Sequence, residues 1–259
     1  MMAGMTLRVG YLSRTQASSI DFPHPVELID LETDTVEGLR DALLAGHIDI
    51  AVHADANLPL DPQFVQAIAH RENPQDAFCG PTDYRGLPHG ARVGTDSANR
   101  AAQLKHFRSD LVPTEVAGDL EERLAHIGDG LDGIIVSRAE LTWHGLTIGQ
   151  DLPYEVMVPV AGQGALAVEA LATSADVLAG IEDSVARMEM VAEQTFAAEL
   201  GVLPSSPVGV LARSTGKTVA LHVRFLGDGT KVEIRRSSSN PLTLATDLAA
   251  EFVRRGVRP

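Results

Sequence analysis

The sequence predicts an α/β protein whose last part changes to a small α+β domain. The chain of 259 residues is long enough for two or three small domains. Up to about residue 168, short apolar strand patterns alternate with helix patterns, which is typical of sheets covered by helices. Beyond residue 207, three strand patterns follow one another across glycine-containing turns, which is typical of an antiparallel sheet.

The first part of the chain contains a βαβ pattern. Strands are predicted at residues 7–10 and 26–31. A capping box that starts at Asp34 opens a helix, and Gly46 ends it. A buried strand at residues 48–52 follows directly, so a parallel arrangement of these strands is expected.

The next part of the chain repeats the alternation of strand and helix. A strand is predicted at residues 91–94, and Thr95 or Asp96 can cap the helix that follows it. Residues 119–122 form a second capping box, which opens another helix. A strand at residues 132–136 completes this part, again in the order expected for a sheet with helices packed on it.

The last part of the chain is predicted to be an antiparallel sheet backed by a helix. A long helix pattern covers residues 185–200 and leads into it. Strands are predicted at residues 208–213, 219–225 and 231–235, and a helix at residues 242–254 closes the chain.

Proline and glycine residues set the predicted domain boundaries. The Asn73-Pro74 pair marks a crossing out of the first lobe, and residues 162–164 (GQG) mark the return. The predicted domains are lobe 1 at residues 1–74 and 161–184, lobe 2 at residues 75–160, and the small α+β domain at residues 185–259.

The charge balance limits the classes of partner. The chain has 35 Asp and Glu residues against 21 Lys and Arg residues, for a net charge of −14. A surface this negative repels phosphate backbones and anionic lipids, so neither nucleic acids nor membranes are expected partners. No window of 18 apolar residues is present, and the start lacks the apolar core of a signal peptide. A single cysteine, Cys79, suits a reducing compartment, so we expect a cytoplasmic monomer that acts on a small molecule.

Polar residues that could carry chemistry follow the predicted strands. Residues 53–59 (HADANLP) come directly after a buried strand, where open α/β sheets place their binding sites. Alternation along an extended segment puts His53, Asp55 and Asn57 on one side. Three other segments are expected to face the same cleft, namely residues 94–100 (GTDSANR), residues 117–119 (AGD) with Arg123, and residues 162–164 (GQG).

Five segments carry a family resemblance. They are residues 46–53 (GHIDIAVH), 71–78 (RENPQDAF), 90–97 (GARVGTDS), 132–135 (DGII) and 160–166 (VAGQGAL). The segments occur in the family's order, and the similarity covers nearly the whole chain. On these segments the sequence resembles the hydroxymethylbilane synthase family, which is also called porphobilinogen deaminase.

The resemblance implies a fold and a reaction. The fold consists of two periplasmic-binding-protein-like (type II) lobes with mixed sheets around a cleft, and a small third domain whose cysteine holds a dipyrromethane cofactor. The family's enzymes deaminate porphobilinogen and link four units head to tail. In that reaction an aspartate assists proton transfers at the pyrrole nitrogens, and several arginines bind the acetate and propionate groups.

This sequence departs from the family at many of those functional positions. The catalytic aspartate falls on Asn57, and an amide cannot act as a general base. In the segment that supplies two arginines, one is kept as Arg100 and the other is Asn99, while a serine is replaced by Asp96. A downstream arginine is kept as Arg123. A growing chain of carboxylated pyrroles is therefore expected to bind badly.

Two further departures concern an early arginine and the cofactor. The early arginine position is occupied by Leu12, with Arg14 as a candidate substitute. The attachment segment aligns with residues 202–209 (VLPSSPVG), in which Pro204 stands at the position of the cysteine. Proline cannot form a thioether, so no cofactor is expected.

We therefore predict a family member that is repurposed as a cofactor-less enzyme. Its substrate is expected to be small, and to carry an amine with one or two carboxylates or a pyrrole ring. The expected reaction is a deamination, an elimination or a carbon–nitrogen bond step. Non-catalytic ligand binding is the second hypothesis, and an active porphobilinogen deaminase is the third. No metal site is expected, because no third ligand accompanies His53 and Asp55 at a suitable spacing.

The candidate residues have functional and structural interpretations, and the sequence leaves both open. In the functional interpretation, Asp55 or His53 transfers protons and Asn57 orients the substrate. In the structural interpretation, Asp55 and Asn57 are solvated loop residues, and His53 forms a hydrogen bond with the backbone. The two retained arginines either bind substrate carboxylates or form surface salt bridges. The predicted substrate-binding residues are Arg14, Asp96, Ser97, Arg100, Asp119, Arg123 and Gln163.

Overall fold

The computed structural model divides the chain into two compact units. It describes residues 6–53, 61–227 and 229–258. Unit 1 comprises Met1–Glu72 and Gly164–Arg187, and unit 2 comprises Asn73–Gln163 and Met188–Pro259.

Strands and helices alternate in the first part of the chain and give way to a strand-rich part, as predicted. A 3-10 helix at Ala172–Leu178 precedes the longest α-helix. In chain order the elements are β1 (Leu7–Tyr11), α1 (Arg14–Ser18), β2 (Val26–Ile29), α2 (Val36–Leu44), β3 (Ile50–His53), β4 (Phe64–Arg71), β5 (Asp76–Cys79), β6 (Arg92–Thr95), α3 (Ala98–Phe107), β7 (Val112–Glu115), α4 (Leu120–Ala125), β8 (Gly133–Ser137), α5 (Arg138–Trp143), β9 (Gln150–Asp151), β10 (Ala165–Leu171), α6 (Ser184–Leu200), β11 (Val208–Ser214), β12 (Val219–Gly227), β13 (Thr230–Ser238) and α7 (Pro241–Arg254).

Unit 1 contains a five-stranded mixed sheet in the order β2-β1-β3-β10-β4. β1 pairs in parallel with β2 and β3, and β10 pairs antiparallel with β3 and β4. α2 packs on this sheet because Leu39 and Leu43 lie on one side of the helix and contact Ile48 and Phe64 in the core. Gly46 follows the helix with a φ of +69°, a conformation that glycine adopts without strain, so the predicted helix end is confirmed.

Unit 2 contains a second five-stranded mixed sheet, in the order β7-β6-β8-β5-β9. β6 pairs in parallel with β7 and β8, and β5 pairs antiparallel with β8 and β9. Each sheet therefore has three parallel strands, followed by one antiparallel strand and a further strand paired with it. This is the mixed-sheet arrangement of type II periplasmic-binding-protein-like lobes, and the predicted α/β class is confirmed.

The last part of unit 2 is an antiparallel sheet in the order β11-β12-β13. α6 and α7 pack against it, and their Phe196 and Phe252 rings meet edge to face with centroids 5.2 Å apart. β12 and β13 form a hairpin in which Gly227 pairs with Thr230, as the glycine-containing turn predicts. The predicted small α+β part is thus present.

The unit boundaries lie close to the predicted crossings of the chain. The predicted lobe 1 ends at residue 74 and resumes at residue 161, whereas unit 1 ends at Glu72 and resumes at Gly164. The residues predicted for lobe 2 and for the small α+β domain both belong to unit 2, apart from the first residues of the latter. Among the described residues, no helix is both long and apolar enough to cross a membrane.

Two predicted helix caps are wrong by one or two positions. Thr35 rather than Asp34 caps α2, and its hydroxyl accepts a hydrogen bond from a backbone N–H of the first turn at 3.1 Å. Ser97, rather than Thr95 or Asp96, caps α3. In both places neighbouring residues have side chains that can cap, and the extended backbone immediately before the first helical residue decides which of them does.

Three strands have no clear pattern in the sequence. β4 mixes apolar and polar residues without strict alternation, and β5 has only four residues and lies close behind Pro74. β7 contains Pro113, which is tolerated because β7 is the edge strand of its sheet. These strands form because partners from distant parts of the chain complete their hydrogen bonds.

Candidate functional site

The N-terminal end of α3 brings together several predicted binding residues in unit 2. β6 ends at Thr95, and Ser97 Oγ accepts a hydrogen bond from Arg100 N at 3.4 Å to cap the helix. Asp96 and Arg100 are an i, i+4 pair at this first turn, where side chains four residues apart are neighbours. The cap therefore sets the position from which the Arg100 side chain extends.

Arg100 is buried, and each of its three nitrogens donates to a different side chain of unit 2. Nε donates to Asp76 Oδ1 at 2.9 Å, Nη1 to Asp96 Oδ1 at 2.8 Å, and Nη2 to Gln163 Oε1 at 3.1 Å. Burial alone lowers the pKa of a guanidinium, but the carboxylates of Asp76 and Asp96 raise the pKa of Arg100 above its ordinary value. Arg100 is thus a buried cation paired within the protein, not a surface salt-bridge partner.

Arg123 reaches the same cluster from α4. The first turn of α4 is fixed by the predicted capping box, which is confirmed: Asp119 Oδ1 accepts from Glu122 N at 2.9 Å, and Glu122 Oε2 accepts from Asp119 N at 3.1 Å. Arg123 is buried, and its Nη1 donates to Asp96 Oδ2 at 3.1 Å while its Nη2 pairs with Glu140. Asp119 serves as the helix cap here, and Asp96 joins the two arginines.

Asp76 is a member of this cluster that the sequence does not single out. It is the first residue of β5, is fully buried, and accepts hydrogen bonds at Oδ1 from Arg100 and from Gln163 Nε2 at 2.9 Å. Its Oδ2 has no hydrogen-bond partner among the described residues. Burial raises the pKa of Asp76, while Arg100 and Gln163 oppose that rise. The available signal in the sequence was an aspartate two residues after Pro74, within one of the segments that carry the family resemblance. The same pattern is typical of an ordinary turn, so it did not single out Asp76.

Gln163 is held by two glycines whose backbone few other residues could adopt. Gly162 and Gly164 have φ values of +82° and +81°, so both lie in the left-handed region. Gln163 Nε2 donates to Pro74 O at 2.7 Å as well as to Asp76, and its Oε1 accepts from an arginine of the cluster. The predicted binding residue therefore has extensive contacts within unit 2.

His53 lies in a separate polar cluster, which belongs to unit 1. It is the last residue of β3, is buried, and has its Nε2 3.5 Å from Glu169 Oε2. Neither ring nitrogen forms a hydrogen bond within the described part of the chain. Glu169 is fully buried and accepts from Arg40 Nε at 2.9 Å, Arg40 Nη2 at 2.7 Å and Gln66 Nε2 at 3.1 Å. Burial acts to raise the pKa of Glu169, but these donors and His53 outweigh it and hold that pKa at about 2.

The other predicted site residues are Arg14, Asp55 and Asn57. Arg14 begins α1, is exposed, and donates from Nη1 to the Tyr11 hydroxyl at 3.0 Å. Asp55 and Asn57 lie outside the described residues, so their predicted roles stay predictions. No three His, Cys, Asp or Glu side chains within residues 6–53, 61–227 and 229–258 are grouped so as to hold a metal ion.

Comparison with known proteins assigns the chain to a family. Residues 24–179 match the family model described as "Porphobilinogen deaminase, dipyromethane cofactor binding domain". A porphobilinogen deaminase of Roseiflexus sp. (strain RS-1) is 34% identical, over 98% of this chain and 88% of its own. One of Nocardia farcinica (strain IFM 10152) is 38% identical, over 81% of this chain and 70% of its own. The chain belongs to the porphobilinogen deaminase family.

Solved structures that resemble this porphobilinogen deaminase family member include ligand-binding proteins. A nutrient binding protein from Burkholderia cenocepacia bound to methionine has a TM-score of 0.42 and 14% identity, covering 66% of this chain and 87% of that one. A periplasmic substrate-binding protein of an ABC transporter from Coxiella burnetii has a TM-score of 0.41 and 12% identity, covering 70% and 94%. TM-scores this low support no conclusion about ligands.

Asn99, at the position where the family resemblance leads us to expect an arginine, is part of an internal network. Asn99 is buried, donates from Nδ2 to Val158 O at 2.8 Å, and accepts at Oδ1 from Gln103 Nε2 at 2.9 Å. Gln103 Oε1 in turn accepts from Arg224 Nη1 at 2.7 Å. The Asn99 side chain therefore links α3 to β12 through buried hydrogen bonds, and its polar atoms are used in these internal contacts.

Residues 202–209, the segment in which the family resemblance leads us to expect the cofactor attachment site, follow α6. Pro204 lies there in an exposed turn. Cys79, the single cysteine of the sequence, lies in β5 with 3% of its surface exposed. Burial raises the pKa of its thiol, and the thiol rather than the nucleophilic thiolate is therefore favoured.

Proposed function

We propose that this member of the porphobilinogen deaminase family no longer assembles a chain of pyrroles and instead acts on one small substrate that carries an amine. The observation that carries the proposal is the state of the two retained arginines. Arg100 and Arg123 are both buried and both paired with the protein's own carboxylates. Arginines in this state have little left to offer to the acetate and propionate groups of a polypyrrole.

The charge of this cluster supports an amine rather than a polycarboxylate. Three carboxylates, those of Asp76, Asp96 and Glu140, accompany the two guanidinium groups. Asp96 and Glu140 are the partly exposed members, with 44% and 28% of their side chains accessible. Either one alone repels a ligand carboxylate about 4 Å away by about 4 kcal/mol at an effective dielectric constant near 20, and the two guanidinium groups offset only part of the combined repulsion because carboxylates outnumber them. An ammonium group at the same distance is attracted by a comparable amount.

The residues of this chain do not fit a covalent dipyrromethane, so we propose that it carries none. Pro204 has no nucleophilic atom at the attachment position. The one thiol, at Cys79, is buried within the core of unit 2, together with Ile134 and Leu141. A two-ring adduct at that position would have to displace several core side chains, which is costly in a close-packed interior.

For the reaction itself we propose a deamination, an elimination or a carbon–nitrogen bond step on a single molecule. His53 and Asp55 are the candidates for moving the proton, and Asn57 for orienting the substrate. The position of Glu169 beside His53 supports this role, because a permanently ionised carboxylate stabilises an imidazolium that forms when the histidine accepts a proton.

Ligand binding without catalysis is the second candidate. It is favoured by the carboxylates of unit 2 that surround the arginines, since each already accepts a hydrogen bond from a guanidinium group and is thus engaged inside the protein. The third hypothesis, which follows from the family, is an active porphobilinogen deaminase. The pairing of both arginines with the protein's own carboxylates argues against it, and so does the proline at the proposed attachment position.

A single set of measurements tests the proposal. Purified protein is first weighed by intact mass spectrometry and treated with Ehrlich's reagent, and it is then incubated with porphobilinogen. We expect the bare polypeptide mass, no dipyrromethane colour and no hydroxymethylbilane. A two-pyrrole adduct, or synthesis of the tetrapyrrole precursor at a sustained rate, contradicts the proposal.

Matched ligands then test the substrate class. Thermal shifts are recorded with pairs of small amines and their deaminated analogues, with porphobilinogen among the amines. We expect stabilisation by the amine of a pair and not by the analogue that keeps only the carboxylate. Asp55→Asn then separates the two leading candidates: loss of turnover with retained binding favours an enzyme, and no turnover in either protein favours a binder.

A further inference from the structure

Asp96 occupies an unusual place among the charged residues of unit 2, because its single carboxylate bridges two buried guanidinium groups. Oδ1 accepts from Arg100 Nη1 at 2.8 Å, and Oδ2 accepts from Arg123 Nη1 at 3.1 Å. Charge-assisted hydrogen bonds from guanidinium groups to both carboxylate oxygens would hold the carboxylate of a ligand equally well. Here the carboxylate is part of the chain.

The other nitrogens of both arginines have their own acceptors. Arg100 Nε and Nη2 donate to Asp76 and Gln163, and Arg123 Nη2 pairs with Glu140. Removal of the Asp96 carboxylate would therefore leave one Nη1 on each arginine without its acceptor, while Asp76 and Glu140 continue to hold the two guanidinium groups in place. The two vacated donors would point at the same position.

The position between the arginines can be reached from solvent through Asp96. The side chain of Asp96 is 44% exposed, whereas those of Arg100 and Arg123 are 8% and 4% exposed. A carboxylate arriving from solvent would therefore replace the Asp96 carboxylate without having to displace a buried group.

We propose that Asp96 is a specificity-determining residue: it is an internal substitute for a ligand carboxylate, which fills the clamp formed by Arg100 and Arg123 and excludes carboxylate ligands from it. This inference rests on the proposed function for the choice of the site. It adds the residue responsible for the selectivity and the ligand class that its removal restores, namely small mono- and dicarboxylates. In the wild-type chain the Asp96 carboxylate already accepts a hydrogen bond from each arginine. An external carboxylate would gain these two hydrogen bonds only by breaking the two that Asp96 forms.

The test is a gain of binding. Asp96→Ala is titrated with sodium succinate and sodium propionate by calorimetry at constant ionic strength, next to the wild-type chain. We expect at least tenfold tighter carboxylate binding by the variant, which corresponds to about 1.4 kcal/mol. The matched control is Asp110→Ala, which removes a carboxylate from another arginine, Arg108, at the same 2.8 Å distance but without a second guanidinium. It should show no such gain.

Two further variants make the result decisive. Asp96→Ala combined with Arg123→Gln should lose the gain, because one side of the clamp is removed. Asp96→Ser replaces the single variant should the alanine variant fail to fold, since its small hydroxyl cannot bridge both arginines. A folded variant without gain, or an equal gain in Asp110→Ala, overturns the inference.

The result is distinguishable from a failure of the proposed function. If the wild-type chain binds no amine but Asp96→Ala gains succinate, the proposed substrate class is wrong and the role of Asp96 stands. If the wild-type chain binds an amine but the variant gains nothing, the role of Asp96 is wrong and the substrate class stands.

Discussion

The buried Glu169 of unit 1 gives a prediction whose size follows from the structure. Its carboxylate accepts two hydrogen bonds from Arg40 and one from Gln66, and its pKa is held at about 2 instead of the ordinary 4.5. The carboxylate is fully buried and its partner Arg40 is only 11% exposed, so solvent screens these contacts weakly. Each pKa unit corresponds to about 1.4 kcal/mol, so ionised Glu169 stabilises the fold by about 3 kcal/mol at neutral pH.

The sign of the pH dependence follows from the lowered pKa. A carboxylate with a depressed pKa in the folded state contributes its full stabilisation above pH 4.5, and this contribution is lost as the pH falls towards 2. Glu169→Gln keeps the shape of the side chain but removes the charge. We therefore expect it to lower the free energy of unfolding by about 3 kcal/mol at pH 7 and to flatten its decline between pH 4.5 and pH 2.

Guanidinium chloride unfolding at several pH values measures this free energy, and hydrogen exchange of the β10 amides reports on unit 1 itself. Glu27→Gln is the matched control, because Glu27 is an exposed residue of the same sheet. It should change the stability by less than about 0.5 kcal/mol. If Glu169→Gln and the wild-type chain lose stability in parallel as the pH falls from 4.5 to 2, the reasoning is refuted.

Three further predictions concern unit 2. Asp119→Ala removes the capping box with Glu122 and should lower the unfolding free energy by about 1 kcal/mol, seen as a lower denaturant midpoint with an unchanged slope; an unchanged midpoint contradicts it. Arg224→Met removes the guanidinium that donates to Glu233 at 2.8 Å, while His222 still contacts that carboxylate at 2.9 Å; we expect a loss of about 2 kcal/mol in thermal unfolding, against no loss if the pair is dispensable. Cys79 should react with Ellman's reagent only after denaturation, because its thiol is buried; rapid reaction of the native chain contradicts this.

Features that depend on neighbouring residues could be predicted from the sequence. The capping box at Asp119, the helix end at Gly46 and the β12–β13 hairpin at Gly227 are all as predicted, because each depends on residues within about four positions. The small α+β part and the alternation of strands and helices follow from periodicity in the same way.

Several members of the polar cluster of unit 2 could be predicted from the sequence, but Asp76 and the contacts between the members could not. Asp96 was predicted to cap a helix or to bind substrate, and its contact with Arg123, 27 positions further along the chain, is one that the sequence does not indicate. Asp76 was missed, because its importance comes from Arg100, 24 positions away, and from Gln163, 87 positions away. Neither separation has a local signature.

The sequence by itself determined the family and the residue types on which the proposed departures from it rest. The types of residue at positions 99 and 204 are fixed before the chain folds, and proline cannot form a thioether in any conformation. The tertiary structure decided which charged side chains contact each other. The order of strands β6, β8 and β5 brings α3, α4 and the start of β5 together, so that Asp96 fills the space between Arg100 and Arg123. Electrostatic interactions depend on separations of a few ångströms, and only folding sets those distances between residues so far apart in the chain.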